Sequence, residues 1–267
     1  MKKIGIYGKS IPKENYKFIN NLVDCIRSEI NPKIYLHSKL DKIPDLFVDG
    51  KDATFDGYDL INLNVDLLIS FGGDGTLLDT VTMIKDSNIP ILGINAGRLG
   101  FLANITQEDI RSAVRAIKEK KYRIDKRTLV EIKNFHDLNV TNCNFALNEI
   151  TVHKKDSSSM LKIHTYVDNE FLNTYWSDGL IISTPTGSTA YSLSCGGPIL
   201  SPGSDNFIIN PISPHNLNLR PLVVSDNVEI KLATESREGQ FLLTMDSRSI
   251  TVENNVPIIL KKSNFNI

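Results

Sequence analysis

The chain has 267 residues, 41% of them hydrophobic, enough to bury a sizeable core in one large or two smaller domains. Its 30 Lys and Arg nearly balance its 31 Asp and Glu, and the net charge of -1 argues against a nucleic-acid or membrane-surface binder, which needs a basic excess. Cys25, Cys143 and Cys195 lie far apart and form no CxxC pair, so a disulfide framework or structural zinc site is not expected, and reduced thiols in a cytoplasmic protein are.

Read along the chain, "MKKIGIYGKS" is too broken by Gly5, Gly8 and Lys9 to be a signal peptide, and "KIGIYG" reads as a buried strand. No apolar run approaches the roughly 18 residues of a membrane span. "NYKFINNLVDCIRSEI" places Phe18, Leu22, Val23 and Ile26 at helical spacing. "KIYLH" and "VDLLISF" read as strands, the second entering a glycine turn. "TLLDTVTMIKD" reads as a helix. "IPILGIN" reads as a strand that ends in a second loop, "AGRLGF". "TQEDIRSAVRAIKEK" opens on a capping box, Thr106 to Asp109, and predicts a further helix. Alternating strands and helices predict a mostly parallel sheet covered on both faces.

Beyond Tyr122 the pattern changes. "TLVEIKN", "NFALNEITVHK", "KIHTYVD", "GLIISTP", "RPLVVS", "VEIKLA", "FLLTMD" and "ITVEN" read as successive strands separated by turn residues. Two domains are therefore expected: a Rossmann-like α/β domain over 1–122, and an antiparallel β-rich domain over 123–267. The strand in "VPIILKKS" is open to either. The polar run Lys154 to Ser159 reads as a mobile loop.

Three stretches carry chemistry. In "LLISFGGDGTLLDT", Gly72, Gly73, Gly75 and Thr76 bring exposed amides and a helix start together beyond the end of a strand, which favours phosphate. The loop is neither GxGxxG nor a P-loop. Its acid, Asp74, has three uses there: holding Mg²⁺ that bridges phosphates, accepting a proton from an attacking hydroxyl, or hydrogen-bonding a ribose. A plain Asp-Gly turn is the competing reading. In "ALNEITV", Asn148 and Glu149 offer an amide beside a carboxylate. As strand neighbours they point to opposite faces, so both serve one ligand only at a strand end or bulge. In "SDGLIISTPTGSTAYSLSCGGPIL", small and hydroxyl residues around Gly187 suit a flat ring held against backbone, with Tyr191 as a stacking surface.

Other chemistries lack their residues. No GxSxG supports Ser188 or Ser192 as a nucleophile. His37, His136, His153, His164 and His215 show no metal-binding spacing. Cys195 has no evident activating partner and reads as packing.

Taken in order, "GGDGT", the Asn148–Glu149 pair, "SDGLIISTPTGSTAYSLSCGGPI" and "ISPHNLNLRPLVV" resemble the NAD kinases over nearly the whole chain. "GGDGT" alone is shared with lipid and phosphofructokinase-type kinases; the long central block is the specific part. The resemblance implies Mg²⁺-dependent transfer of a phosphoryl group from ATP to the 2′-hydroxyl of NAD's adenosine ribose. It implies a site between the two domains and a homo-oligomer, a dimer or tetramer. It assigns Asp74 as the acid that takes the hydroxyl proton, and Gly75, Asn148, Glu149, Asp178, Thr186, Thr189, Ala190, Tyr191, Ser192, Leu193, Ser194 and Arg248 to NAD binding. The residues that hold the metal stay open. One departure stands out: many members carry a basic residue two places before the Asp of "SDG", and here it is Trp176. Two other classes compete. A lipid kinase would need an acyl pocket or a basic docking helix, and none is evident; a non-catalytic dinucleotide sensor predicts a lost loop acid, and Asp74 is present.

Overall fold

Strands β1 (Lys3–Tyr7), β2 (Lys33–His37), β3 (Ala53–Phe55), β4 (Leu67–Gly72) and β5 (Ile91–Asn95) form a parallel sheet in the order β3-β2-β1-β4-β5 in the computed structural model. The structure describes residues 1–48, 52–57, 59–97, 100–138, 143–155 and 159–267. Helices α1 (Tyr16–Glu29), α2 (Asp59–Leu63) and α3 (Asp74–Ile84) connect strands, and α4 (Ile110–Lys118) follows β5. Strand alternation decides the layering. Ile4, Ile6, Ile34, Leu36, Ile69 and Phe71 pack with Phe18, Leu22 and Ile26 of α1 and Val114 of α4. The intervening Tyr7, Tyr35 and Leu68 pack with Leu60 of α2 and Ile84 of α3 on the opposite face. This is the doubly covered parallel sheet that the sequence predicts. The chain runs outward from β1 through β2 to β3 and then returns to β4 on the other side of β1. The crevice beyond the carboxyl ends of β1 and β4 is where such sheets bind ligands.

The capping box takes another form. Residues 107–109 make a turn and α4 begins only at Ile110. The Thr106 hydroxyl donates to the Asp109 carboxylate (2.8 Å) instead of capping an amide of a helix that has not yet begun.

By contacts, the chain divides into Met1–Asp125, joined by Ile267, and Lys126–Asn266. The second unit carries, in chain order, β6 (Val130–Ile132), β7 (Phe145–Ala146), β8 (Glu149–His153), β9 (Leu161–Val167), β10 (Glu170–Ser177), β11 (Gly179–Ser183), the short helix α5 (Tyr191–Ser194), β12 (Asn206–Ile212), β13 (Leu222–Ser225), β14 (Ile230–Glu235), β15 (Gln240–Met245), β16 (Arg248–Glu253) and β17 (Ile258–Lys262). Among the described residues these strands make two antiparallel sheets, β10-β9-β14-β17-β6-β7 and β13-β12-β11-β8-β15-β16. Ile163, Leu232, Ile258 and Leu260 from the first meet Ile150, Val152, Ile182, Ile209 and Leu243 from the second in one buried core, as in a β-sandwich. The strand in "VPIILKKS", open to either domain from sequence, is β17, inside the first of these sheets. The "NFALNEITVHK" stretch, expected as one strand, is broken at Leu147 and Asn148 into β7 and β8. The expected mobile loop falls partly on residues 156–158, which lie outside the described residues.

Candidate functional site

In the first unit, β4 delivers the chain to Gly73, which has an extended backbone and caps α3. Asp74 is the first residue of that helix. The opening amides of a helix have no intrahelical partner and sit at its positive end. At Gly73 and Gly75, no atom lies within 4 Å of where a Cβ would stand, so a ligand could reach the backbone from the open side. Thr76 is less free: its amide already donates to the Gly73 carbonyl (3.0 Å).

The Asp74 side chain has a definite occupation. Its Oδ2 accepts from the Phe101 amide (2.9 Å), and its Oδ1 accepts from the amides of Leu102 (3.0 Å) and Ala103 (3.0 Å). Gly100 is required by this arrangement, because a Cβ there would fall on the Asp74 carboxylate. Buried Asn95 holds the same segment from the other side, donating to the Ala103 carbonyl (3.0 Å) and accepting from the Gly97 amide (2.7 Å). A carboxylate offers about four acceptor positions. With three amides bound, one acceptor position on Oδ2 is left. Phe101 projects from the clamped segment, 68% exposed. The predicted "AGRLGF" loop includes Arg98 and Leu99, which lie outside the described residues.

Sequence reading passed over Lys9, in the loop after β1 at the edge of the same crevice. Its ammonium pairs with Asp79 of α3 (3.0 Å), which also accepts from the buried Tyr7 hydroxyl (3.1 Å). Burial and the Asp79 charge push the Tyr7 phenol well above its ordinary range, so it stays a donor. A Gly-Lys-Ser run directly after the first strand was the available signal.

In the second unit, Asn148 and Glu149 sit at the break between β7 and β8, which is the strand-end placement that two neighbours need to serve one ligand. The break is held by the hairpin tip between β15 and β16. The Asp246 carboxylate accepts from the amides of Leu147 (2.9 Å), Asn148 (2.8 Å) and Glu149 (3.2 Å), and the Asp246 amide donates to the Glu149 carbonyl (3.1 Å). On the other side, the Asn148 carbonyl accepts from the Thr184 amide (2.9 Å). Gly187 passes so close that a Cβ would fall on that carbonyl. The Glu149 carboxyl is largely buried, and its pKa is pushed up to about 8, first by burial and then by the Asp246 charge; the Tyr191 amide donates to it and opposes the rise. Its Oε2 is buried without a hydrogen-bond partner.

The other predicted residues divide into exposed and internal groups. Tyr191, Leu193 and Ser194 of α5 are exposed, and Ala190 and Thr189 half-buried. Ser192 instead faces inward, where the Asn210 side chain donates to its carbonyl (2.9 Å) and hydroxyl (3.1 Å). Thr186 is buried and accepts from Arg127 (3.4 Å). Asp178 is ion-paired with Lys154 (2.6 Å). Arg248 donates to the carbonyls of Cys143 (2.8 Å) and Phe145, so its guanidinium braces the segment entering the break. Burial, followed by the Glu149 charge, pushes the Cys195 thiol up, in keeping with a packing role. At Trp176, 49% exposed, the Lys162 ammonium lies 5.2 Å from the ring centroid, on the rim of an open hollow of about 540 Å³. Among the described residues, no group of three or more His, Cys, Asp or Glu is placed to cage a metal ion.

Comparison with known proteins agrees across both units. Residues 12–122 match the ATP-NAD kinase N-terminal domain, and residues 147–266 match the ATP-NAD kinase C-terminal domain. The chain is 52% identical to the NAD kinase of Flavobacterium psychrophilum, an alignment covering 99% of this chain and 91% of that one. It is equally 52% identical to the NAD kinase of Cytophaga hutchinsonii, over 98% and 90% of the two chains. Among solved structures, yeast NADH kinase complexed with NADH superposes with a TM-score of 0.86 at 25% identity, covering 100% of this chain and 82% of that one. An NAD kinase from Archaeoglobus fulgidus in complex with ATP gives 0.75 at 25% identity, covering 99% and 91%.

Proposed function

The chain belongs to the NAD kinase family and is an ATP-dependent kinase of NAD, and we propose the following division of labour among its residues. The acceptor is the 2′-hydroxyl of the adenosine ribose. Its oxygen forms a bond to the γ-phosphorus of ATP as the bond from that phosphorus to the β–γ bridging oxygen breaks, giving NADP and ADP. Asp74 takes the hydroxyl proton on the one acceptor position that Phe101, Leu102 and Ala103 leave open. The amides of the Gly73–Asp74–Gly75 turn and the start of α3 receive phosphate oxygens.

Mg²⁺ enters as part of the nucleotide substrate. Nucleotide-bound Mg²⁺ is characteristically held by substrate phosphates with one or two carboxylates rather than by an all-protein cage. When bound, the ion offsets phosphate charge during transfer.

On the dinucleotide side, Asn148 and Glu149 bind ribose or adenine edges, Asp178 adds an acceptor, and Thr189, Ala190, Tyr191, Leu193 and Ser194 form the surface for the ring. Ser192, Thr186 and Arg248 support that surface from within. Lys162, over Trp176 and 3.7 Å from Glu235, offers a positive charge beside the position where the family resemblance expects a basic residue. We infer a cytoplasmic homo-oligomer, dimer or tetramer. Exposed Leu222 and Val223 on the edge strand β13 support self-association, and the net charge of -1 supports neither a nucleic-acid nor a membrane-surface partner. No helix among the described residues is long and apolar enough to cross a membrane.

The observation that carries the catalytic assignment is the single open acceptor position on Asp74 at the crevice of the parallel sheet. Its test is to incubate the pure protein with Mg-ATP and NAD and to assay NADP with an NADP-specific dehydrogenase. NADP accumulates, and chelating Mg²⁺ stops it. Near-normal turnover by Asp74→Asn would sink the proton-acceptor role.

A further inference from the structure

One buried acid of the second unit has no place in the division of labour above. Asp246 lies in the two-residue turn between β15 and β16 with a φ of 52°, in the left-handed region that a residue other than glycine occupies at a cost. Aspartate tolerates it better than most. From this position its carboxylate reaches the amides of Leu147, Asn148 and Glu149, residues 97 to 99 positions earlier in the chain.

We propose that Asp246 is a positioning residue for the dinucleotide side of the reaction: it sets the break that presents Asn148 and Glu149, and it stands as the charged neighbour of the Glu149 carboxyl. The inference rests on the reading of Asn148 and Glu149 as NAD-binding residues.

The geometry explains why a carboxylate and not an amide occupies this position. Three N–H groups converge on it, and a side-chain amide would turn its own donor toward one of them. The charge that these amides stabilise then faces a second acid. Two close carboxylates in a buried setting do not both ionise readily. Burial raises the Asp246 carboxyl as well, and the three amides and the nearby Arg248 oppose that rise; Glu149 has only the Tyr191 amide to oppose its own, and its Oε2 has no partner. More donors favour charge on Asp246 than on Glu149, so the protonated form is assigned to Glu149, whose buried Oε2 has no partner within the chain. That form suits an acceptor on NAD, such as a ring nitrogen or a ribose oxygen. The groups facing Glu149 are Asp246 from the hairpin tip and Tyr191 and Cys195 from the α5 segment, with Asp178 acting on Tyr191 from the start of β11. Burial holds the tyrosine and cysteine above their ordinary values, so Glu149 is the group expected to ionise first as the pH rises.

The test combines kinetics with a direct titration. In Asp246→Asn, KM for NAD rises about tenfold while KM for ATP stays within twofold, the cost of one misdirected buried hydrogen bond. In the wild type, KM for NAD climbs as the pH passes the Glu149 ionisation; Asp246→Asn moves that limb to lower pH, and Glu149→Gln removes it. Carboxyl ¹³C NMR of the full chain, with Glu149 assigned from Glu149→Gln, follows the same ionisation without any turnover. Equal effects on the two KM values would overturn the proposal, as would an unmoved Glu149 titration in Asp246→Asn. If Asp246→Asn does not fold, Asp246→Glu decides: a raised KM for NAD with KM for ATP within twofold supports the proposal, and equal effects on the two KM values overturn it. Absence of NADP formation by the wild type would instead refute the functional reading, and the NMR titration would still test the carboxyl pair.

Discussion

Asp74 in the first unit and Asp246 in the second are held the same way. Each carboxylate accepts from three consecutive backbone amides, Phe101 to Ala103 in one case and Leu147 to Glu149 in the other. What differs is the other side of each carboxylate. Asp74 stands at a helix start beside glycines with open space in front of them, so its remaining acceptor position can meet a substrate. Asp246 is enclosed in a hairpin tip beside Glu149, so its charge acts on another acid rather than on a ligand. The hydrogen-bond pattern fixes where a carboxylate sits; its surroundings decide what it does. On the proposed reading the first acid reacts and the second arranges.

The strongest way to break this contrast is Asp74→Asn. Loss of a proton acceptor lowers kcat by about 10²- to 10⁴-fold, measured by coupled NADP formation with NAD binding followed separately. Next is Gly100→Ala, which forces a methyl group against the Asp74 carboxylate. Turnover falls about tenfold or more through displacement of the carboxylate, while the melting of the second unit is unchanged.

Arg248→Ala probes the supporting side. It leaves the carbonyls of Cys143 and Phe145 without their donor and destabilises the second unit by about 2 kcal/mol, read by denaturant unfolding. Glu149→Gln sharpens the contrast through pH. In the unfolded chain Glu149 has its ordinary pKa, and in the fold it is pushed up to about 8. The fold therefore keeps a proton that the unfolded chain has released, and stability is lost as pH rises toward and through that higher value. Thermal melting of the Gln variant falls less than that of the wild type between about pH 5 and about pH 9. The smallest effect is expected for Lys154→Ala. It breaks a partly exposed ion pair with Asp178, worth about 0–1 kcal/mol, and shows as a change of a few fold at most in KM for NAD.

Much of the first unit is legible in its sequence because each element buries one regular face. Phe18, Leu22, Val23 and Ile26 mark α1, and "VDLLISF" marks β4. The short β3 and α2 were not anticipated, since a three-residue strand and a five-residue helix carry too little pattern to rise above a loop. Strands β10 and β12 escaped for different reasons. The first is an edge strand with exposed apolar residues, which blurs alternation. The second contains Asn210 and Pro211, residues that read as a turn.

The site shows a similar limit. The residue types at Asp74, Asn148 and Glu149 were visible, and the family resemblance gave them roles. Their arrangement was not, because it depends on partners far along the chain. Nothing near "NFALNEITVHK" announces a break; the break is bonded by a carboxylate from the hairpin at residue 246. Ser192 belongs to an apparently uniform polar run, yet only the pairing of its helix with Asn210 on β12 reveals that it points inward.

The position of β17 in its sheet sets a schedule for synthesis. This strand is an interior member of β10-β9-β14-β17-β6-β7, between β14, made shortly before it, and β6, made much earlier. The first unit has its strands and helices together within one continuous stretch and can settle while translation proceeds. The second cannot close until residues 258–262 have left the ribosome, so β6 and β14 wait with exposed edges for their shared neighbour. A stop codon just before Ile258 would remove only a short segment, yet it would leave those edges unpaired and divert the nascent chain toward aggregation.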